Sequence, residues 1–426
     1  MPGSPRRHLI SDGERSIERE RLKEYALTSG ELGAAAAQTT AVVLLPVLLR
    51  EEAVSGFLIG FAVGGEGIFA LLIPFGIGML SDRLPGGLVR RFGRRSLFLV
   101  SAAPVMAATL ALMPFVSGYW PTVGVAFLFF CAAQVLFTPL WALMLDAVPD
   151  ERRARVQGAR GALRAAGLGY GLVGGGVLFS IWEPLPFFVA ALLVLVTAAL
   201  TVVSARGADE RTRHDLGSGG MRELFAELKS NRAAHRMLAA NALWNGAVDG
   251  IRPYFLLFGA VVLGVSTAAS SAVLVFLIMG IGAGSVLVGW LGDRWDRIRL
   301  LSWGTLVIAI AMAAGFFTRE LVLVAPILLL AGFGASAIIA LPYPIYAGLT
   351  SEARAGEHTG VFVISVSVGR LLSPMLVGAA IDMARPFLPE TRGYPAMWLV
   401  AAVLAAGGWF MLRRVASALA ESEKRA

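Results

Sequence analysis

The chain has 426 residues, of which 57% are hydrophobic and only 15% charged, with a mean hydropathy of +0.71. Soluble domains carry about a quarter of their residues as charges, so this composition excludes a water-soluble globular protein and predicts a polytopic membrane protein. The formal charge of +8 does not point to nucleic acid, because the basic residues are spread over alternate loops between apolar runs.

Residues 1–30 are a charged lead-in with Arg15, Glu18, Arg19, Glu20, Arg21, Lys23 and Glu24, and the first apolar run after it is too long for a cleaved signal. Twelve apolar runs follow. Each is roughly 20 residues, enough to cross a hydrocarbon core of about 30 Å as a helix, the form that satisfies its own backbone without water. Helix 1 is expected over 31–49 with Gln38 inside it, helix 2 over 54–80 with Glu66 at mid-depth, and helix 3 over 96–116. Helix 4, over 121–145, carries Gln134, Thr138 and Trp141, and Asp146 follows it. It also holds Cys131, whose solitude rules out an intramolecular disulfide. Helix 5, over 158–180, is glycine-rich from Gly167 to Gly176, a pattern that lets helix backbones approach closely in lipid. Helix 6 spans 184–204.

The polar stretch 205–234 then divides a half at 31–204 from a half at 235–413, with 414–426 as a tail. Helices 7 to 12 are expected over 236–264, 270–291, 299–317, 320–347, 358–382 and 395–413. Of the 37 Lys and Arg residues, only Arg50, Arg319, Arg385 and Arg392 fall in the odd-numbered loops, and only Arg252 and Arg370 lie within apolar spans away from the ends that meet the even-numbered loops or the tail. The excess of positive charge on the other side predicts that both termini are cytoplasmic, in a multi-pass protein of the cell inner (plasma) membrane.

Four ionisable residues in the apolar spans, Glu66, Asp249, Arg252 and Arg370, stand out because a charge in the bilayer interior is costly and marks function. On helix 7, Asn241, Asn245, Asp249 and Arg252 share one face, with Trp244 beside them, and Pro253 just beyond would allow the helix to break. Asp249 and Arg252 would form either part of a wet cavity or a structural ion pair at i and i+3. Glu66 would pair with Arg370 or hold a proton, since desolvation favours the neutral form of an acid. Arg370 would serve as that counter-ion or bind an anionic group on a cargo.

Helix 2 ends in Gly78-Met-Leu-Ser-Asp82-Arg83, followed by Phe92-Gly93-Arg94-Arg95, and the pattern returns as Gly289-Trp-Leu-Gly-Asp293-Arg294. This pair of loops resembles the helix 2–3 signature of the major facilitator superfamily and its repeat in the second half. Pro139-Leu-Trp-Ala-Leu-Met-Leu-Asp146 and Leu341-Pro-Tyr-Pro-Ile-Tyr-Ala347 resemble, more narrowly, the sugar:cation symporters of the glycoside-pentoside-hexuronide and sucrose groups. The chain departs from that pattern at Ser96, where a proline is usual after the basic pair, and in having Glu66 alone inside helix 2. The Gly167–Gly176 run is similar to the superfamily's antiporter signature, with Leu172 in place of its proline.

The resemblance implies an all-α fold of twelve transmembrane helices in two six-helix halves, acting as a secondary transporter by alternating access. Coupling would be to a proton or Na+ gradient through Glu66 and Asp249, with no cofactor. Gln38, Gln134, Thr138, Trp141, Asn241, Trp244, Asn245, Arg252, Tyr343, Tyr346 and Arg370 would line the cavity. A cytoplasmic gate would consist of Gly78, Asp82, Arg83, Gly93, Arg94, Arg95, Asp146, Gly289, Asp293 and Arg294, or these charges are solvated loop residues. Partners are expected to be a small-molecule solute and the lipid bilayer, with no nucleic acid and a monomeric state. No phosphate-cradling loop, metal-ligand cluster or nucleophile elbow is seen, so an enzyme is not expected. A sugar-like cargo is favoured, with a proton-coupled drug or lipid exporter and a non-transporting assembly factor as alternatives.

Overall fold

The computed structural model describes residues 23, 25–50, 52, 54–82, 95–148, 152–205, 231–292, 294–350 and 355–423. Among them, eleven helices are long and apolar enough to cross a membrane. In the first half these are α1 (Gly30–Leu49), α2 (Gly56–Asp82), α3 (Ser96–Leu112), α4 (Tyr119–Ala147), α5 and α6 (Leu185–Ala205). Helix α5 runs from Arg153 to Gly169, passes through one π turn at Tyr170–Gly174 and continues over Gly175–Ile181. The second half has α7, α8 (Thr267–Ala272 and Val275–Gly292), α9 (Arg297–Gly315), α10 (Leu321–Ala340 and Pro342–Ala347), α11 (Ala355–Ala384) and α12 (Ala396–Glu423).

Helix α7 is the twelfth and lies in two pieces, Arg232–Ile251 and Phe255–Val261. It breaks at Pro253, which has no N–H to donate and whose ring crowds the preceding turn. The polar residues before the break also make it less apolar than the other eleven spans. Helix α12 extends to Glu423, beyond the expected end at 413, and Arg413 and Arg414 there lie over the rings of Trp409 and Phe410.

The packing repeats. In the first half α1 packs on α5 and α6, α2 on α4, and α3 on α4 and α6. In the second half each of these contacts returns six helices later, as α7 on α11 and α12, α8 on α10, and α9 on α10 and α12. The contacts between halves obey the same relation, with α2 on α11 matched by α8 on α5. Such correspondence is the mark of parallel repeats about an axis along the membrane normal.

The two halves meet closely at the end away from residues 205 and 232, here termed the distal end. On α2, Gly60 and Gly64 face the backbone of α11 so closely that a Cβ at Gly60 would fall on the Pro374 carbonyl. Gly56 lies equally close to Gly378. Asp382 of α11 accepts from the backbone N–H groups of Gly56 (2.8 Å) and Phe57 (2.9 Å), capping the start of α2 from the opposite half. The Tyr254 hydroxyl, fully buried at the break in α7, lies 2.8 Å from the Gly56 carbonyl and 2.7 Å from that of Pro374. On the matching seam, Ser271 of α8 packs on Gly176 of α5.

Candidate functional site

The four intramembrane charges come together. Glu66 reaches from α2 to two arginines of the other half, with Arg252 Nη2 at 3.2 Å and Arg370 Nη1 at 3.6 Å. Asp249 meets the same two, Arg252 Nη1 at 3.4 Å and Arg370 Nε at 3.2 Å. Gln38 of α1 donates to Glu66 Oε1 at 2.7 Å. Two acids and two bases thus form a closed ring at mid-depth, and removing one member of such a buried pair costs about 3–5 kcal/mol. Both sequence readings of Glu66 and Asp249 as paired groups find their partners here, and the pairing is wider than the helix 7 spacing allowed: each acid has two cations.

Through Arg370 the ring borders a cavity of about 460 Å³, whose lining runs from there toward the linker-side ends of α2, α4 and α11 at Pro74, Trp141 and Thr359. Helices of both halves form its walls: Gln38, Pro74, Gln134, Thr138 and Trp141 from the first, Phe362, Ser367 and Arg370 from the second. Of the expected cavity residues, Gln38, Gln134, Thr138, Trp141 and Arg370 line this cavity.

Four others serve packing in this conformation. Trp244 is fully buried and donates from Nε1 to Asn241 Oδ1 at 3.0 Å, while Asn241 Nδ2 donates to Ser365 on α11 at 2.8 Å. Asn245 donates to the same Asn241 oxygen at 3.0 Å. The polar face of α7 thus meets α11 at the middle of Arg232–Ile251 and the charge ring only in its last turn. Tyr346 is fully buried against His358 and Phe362, outside the cavity wall. Tyr343 is exposed and hydrogen-bonds Thr359, a wall residue, at 2.7 Å.

Of the expected gate, Arg83, Gly93, Arg94 and Asp293 lie outside the described residues, as do the side chains of Asp82 and Asp146. Gly78 is within α2, Arg95 precedes α3, and Gly289 is within α8, where nothing lies near enough to touch an added Cβ. Arg294 lies over the Trp290 ring, 4.2 Å from its centroid.

A second ionic group was not foreseen from sequence. Glu31 of α1, with no exposed surface, accepts from Arg160 Nε at 2.7 Å and Arg164 Nη1 at 3.2 Å, both on α5. Arg160 lies over the Trp141 ring at 5.1 Å, and Arg164 over Phe137 and Trp141 at 5.7 Å each. Arg164 is a wall residue of the cavity. The sequence held a signal: Gln157, Arg160, Arg164, Gly167 and Gly171 recur at intervals of three and four, one face of a single helix. That face packs on α1, where Gly167 meets Leu32 and Gly171 meets Thr39.

The sequence matches the Major Facilitator Superfamily over residues 27–374, and again over 263–426. The chain belongs to that superfamily. This major facilitator is also similar to solved transporters in overall fold. A bacterial homolog of the human lysosomal transporter Spinster, in an inward-facing and unoccupied conformation, superposes with a TM-score of 0.74 at 17% identity, over 92% of this chain and 96% of that one. The nucleoside transporter NupG gives a TM-score of 0.74 at 14% identity, over 92% and 98%. No curated protein sequence matches this one significantly. The twelve-helix major facilitator fold is thus established, while the narrower likeness to sugar:cation symporters has no counterpart among these matches.

Proposed function

We propose that this major facilitator is a secondary active transporter that moves a small organic solute by alternating access, driven by a proton or cation gradient coupled through Glu66 and Asp249. The observation that carries this reading is the charge ring, because it spans the two halves. Glu66 stands on α2, whereas Arg252, Arg370 and Asp249 stand on α7 and α11. If the distal seam opens by rocking of the halves, Glu66 must leave both arginines. A bare carboxylate in a dry site is costly, and a proton or bound cation removes that cost. Movement of the halves and occupancy of the acid are then linked. With both termini in the cytoplasm, as the distribution of basic residues implies, the cavity faces inward.

A sugar-like cargo would be met by Gln134, Thr138 and Ser367 on the cavity wall. Export of an apolar drug or lipid in exchange for protons is a second reading, favoured by Phe137, Trp141, Phe362 and Val363 on the same wall. The test is reconstitution in liposomes with an imposed proton or Na+ gradient and a panel of labelled glycosides, organic acids and lipophilic dyes. Glu66→Gln should abolish accumulation against a gradient while leaving solute counterflow within about threefold of the wild type, since exchange does not need the coupling step. Undiminished accumulation by Glu66→Gln would remove Glu66 from coupling, and dye efflux on acidifying the far side would select the exporter.

A further inference from the structure

The cavity wall has an asymmetry of charge that bears on what it holds. Its only charged residues among those described are Arg164 and Arg370, one from each half, and no acid lines it. The acids lie behind the arginines. Within the ring, Glu66 and Asp249 balance Arg252 and Arg370, whereas among the described residues Glu31 alone faces both Arg160 and Arg164. Among the described residues one positive charge is therefore left over beside the cavity, and within a membrane-spanning bundle an unbalanced charge is costly.

Each wall arginine also has donors to spare. A guanidinium carries five N–H groups in a planar fork. Among the described residues Arg164 uses Nη1 for Glu31, and Arg370 uses Nε for Asp249 and Nη1 for Glu66. Nη2 of each has no partner among the described residues, and roughly 29% of each side chain is exposed. The rings of Phe137 and Trp141 hold Arg164 in orientation from one side and the Glu31 carboxylate from another.

We propose that the cargo of this transporter is an organic anion, its carboxylate or phosphate held between Arg164 and Arg370 and its apolar body seated against Phe137, Trp141 and Phe362. The inference rests on the transport reading above and supplies its substrate class. Paired guanidinium forks recognise planar or tetrahedral oxyanions and discriminate strongly against neutral isosteres. A volume of about 460 Å³ accommodates one bicyclic acid or a lipid headgroup with the first part of its chain. Because Arg164 and Arg370 belong to opposite halves, the anion also bridges the surfaces that must move relative to each other.

The experiment is equilibrium binding of 1-naphthoate, 1-naphthyl phosphate, oleoyl lysophosphatidate and the neutral 1-naphthamide to the purified full chain, followed by flux of each in proteoliposomes. At least one acid should bind about tenfold or more tighter than the amide. Arg164→Lys and Arg370→Lys, which keep the charge but lose the fork, should each weaken that acid about tenfold. Arg160→Lys alters the same Glu31 contact without reaching the cavity and should change affinity by less than about threefold. Preference for the naphthyl acids assigns a free solute, and preference for lysophosphatidate assigns a lipid source. Equal binding of acid and amide overturns the proposal, as does full affinity in Arg164→Lys or equal losses in Arg160→Lys and Arg164→Lys. Gradient-driven flux of a neutral glycoside with no acid bound leaves the transport reading standing and removes the anion. Acid binding that depends on Arg164 but gives no flux does the reverse.

Discussion

Single side chains tie the two halves together at the distal seam. Asp382 satisfies two of the backbone donors that the start of α2 cannot pair within its own helix, and its charge also suits the positive end of that helix. It does so from α11, so the cap exists only while the distal end is shut. Asp382→Asn should weaken the closed seam by about 1 kcal/mol, about fivefold in population. Double electron–electron resonance between spin labels on the distal loops would show this as a new, longer distance; an unchanged distribution would mean that the cap does not hold the seam. Trp244 tests the opposite expectation. It is buried with its indole N–H on Asn241, so Trp244→Phe should lower the thermal midpoint while cargo affinity stays within about twofold. A selective loss of affinity would put Trp244 back in the cavity.

At the scale of helices, the same residue type does two jobs. Gly60 of α2 abuts the Pro374 carbonyl across the seam between halves, whereas Gly167 of α5 abuts the Leu32 carbonyl within one half. Without a hydrophobic force to drive helices together in lipid, close backbone contact carries much of the packing energy. Gly60→Ala should therefore displace α2 from α11 and shift the molecule toward a distal-open state with little change in melting temperature. Gly167→Ala should separate α1 from α5 and lower the melting temperature without favouring either state. Paired measurements of label distance and thermal unfolding separate the two, and identical behaviour would contradict the division between hinge-like and structural contacts. Which glycines belong to which seam was not legible in the sequence, because both runs show small residues at helical spacing and only the partner helix differs.

For the whole molecule, the repeated packing predicts that the distal end must open for transport to proceed. Cys131 is the only cysteine, so Cys131→Ser provides a background free of thiols. Cysteines placed at Phe57 and Asp382 should then form a disulfide on oxidation, since the Asp382 carboxylate already lies 2.9 Å from the Phe57 amide. Oxidation should stop flux and reduction should restore it. Flux that continues through the crosslinked protein would mean that the halves do not rock at this seam.

The apolar runs determined by themselves that the chain spans a membrane as helices, because hydrocarbon offers no water to an unpaired backbone. They also singled out Glu66, Asp249, Arg252 and Arg370, since a charge in such a run is conspicuous whatever surrounds it. Helical periodicity placed Asn241, Asn245, Asp249 and Arg252 on one face. Tertiary structure alone decided what that face meets: Ser365 at Asn241, the charge ring at Asp249. It likewise joined Glu66 to Arg252 across 186 residues and drew Arg160 and Arg164 onto Glu31 from the basic start of helix 5. Periodicity is a property of one helix, whereas an ion pair between helices depends on the depth and rotation of both, and those are set by packing.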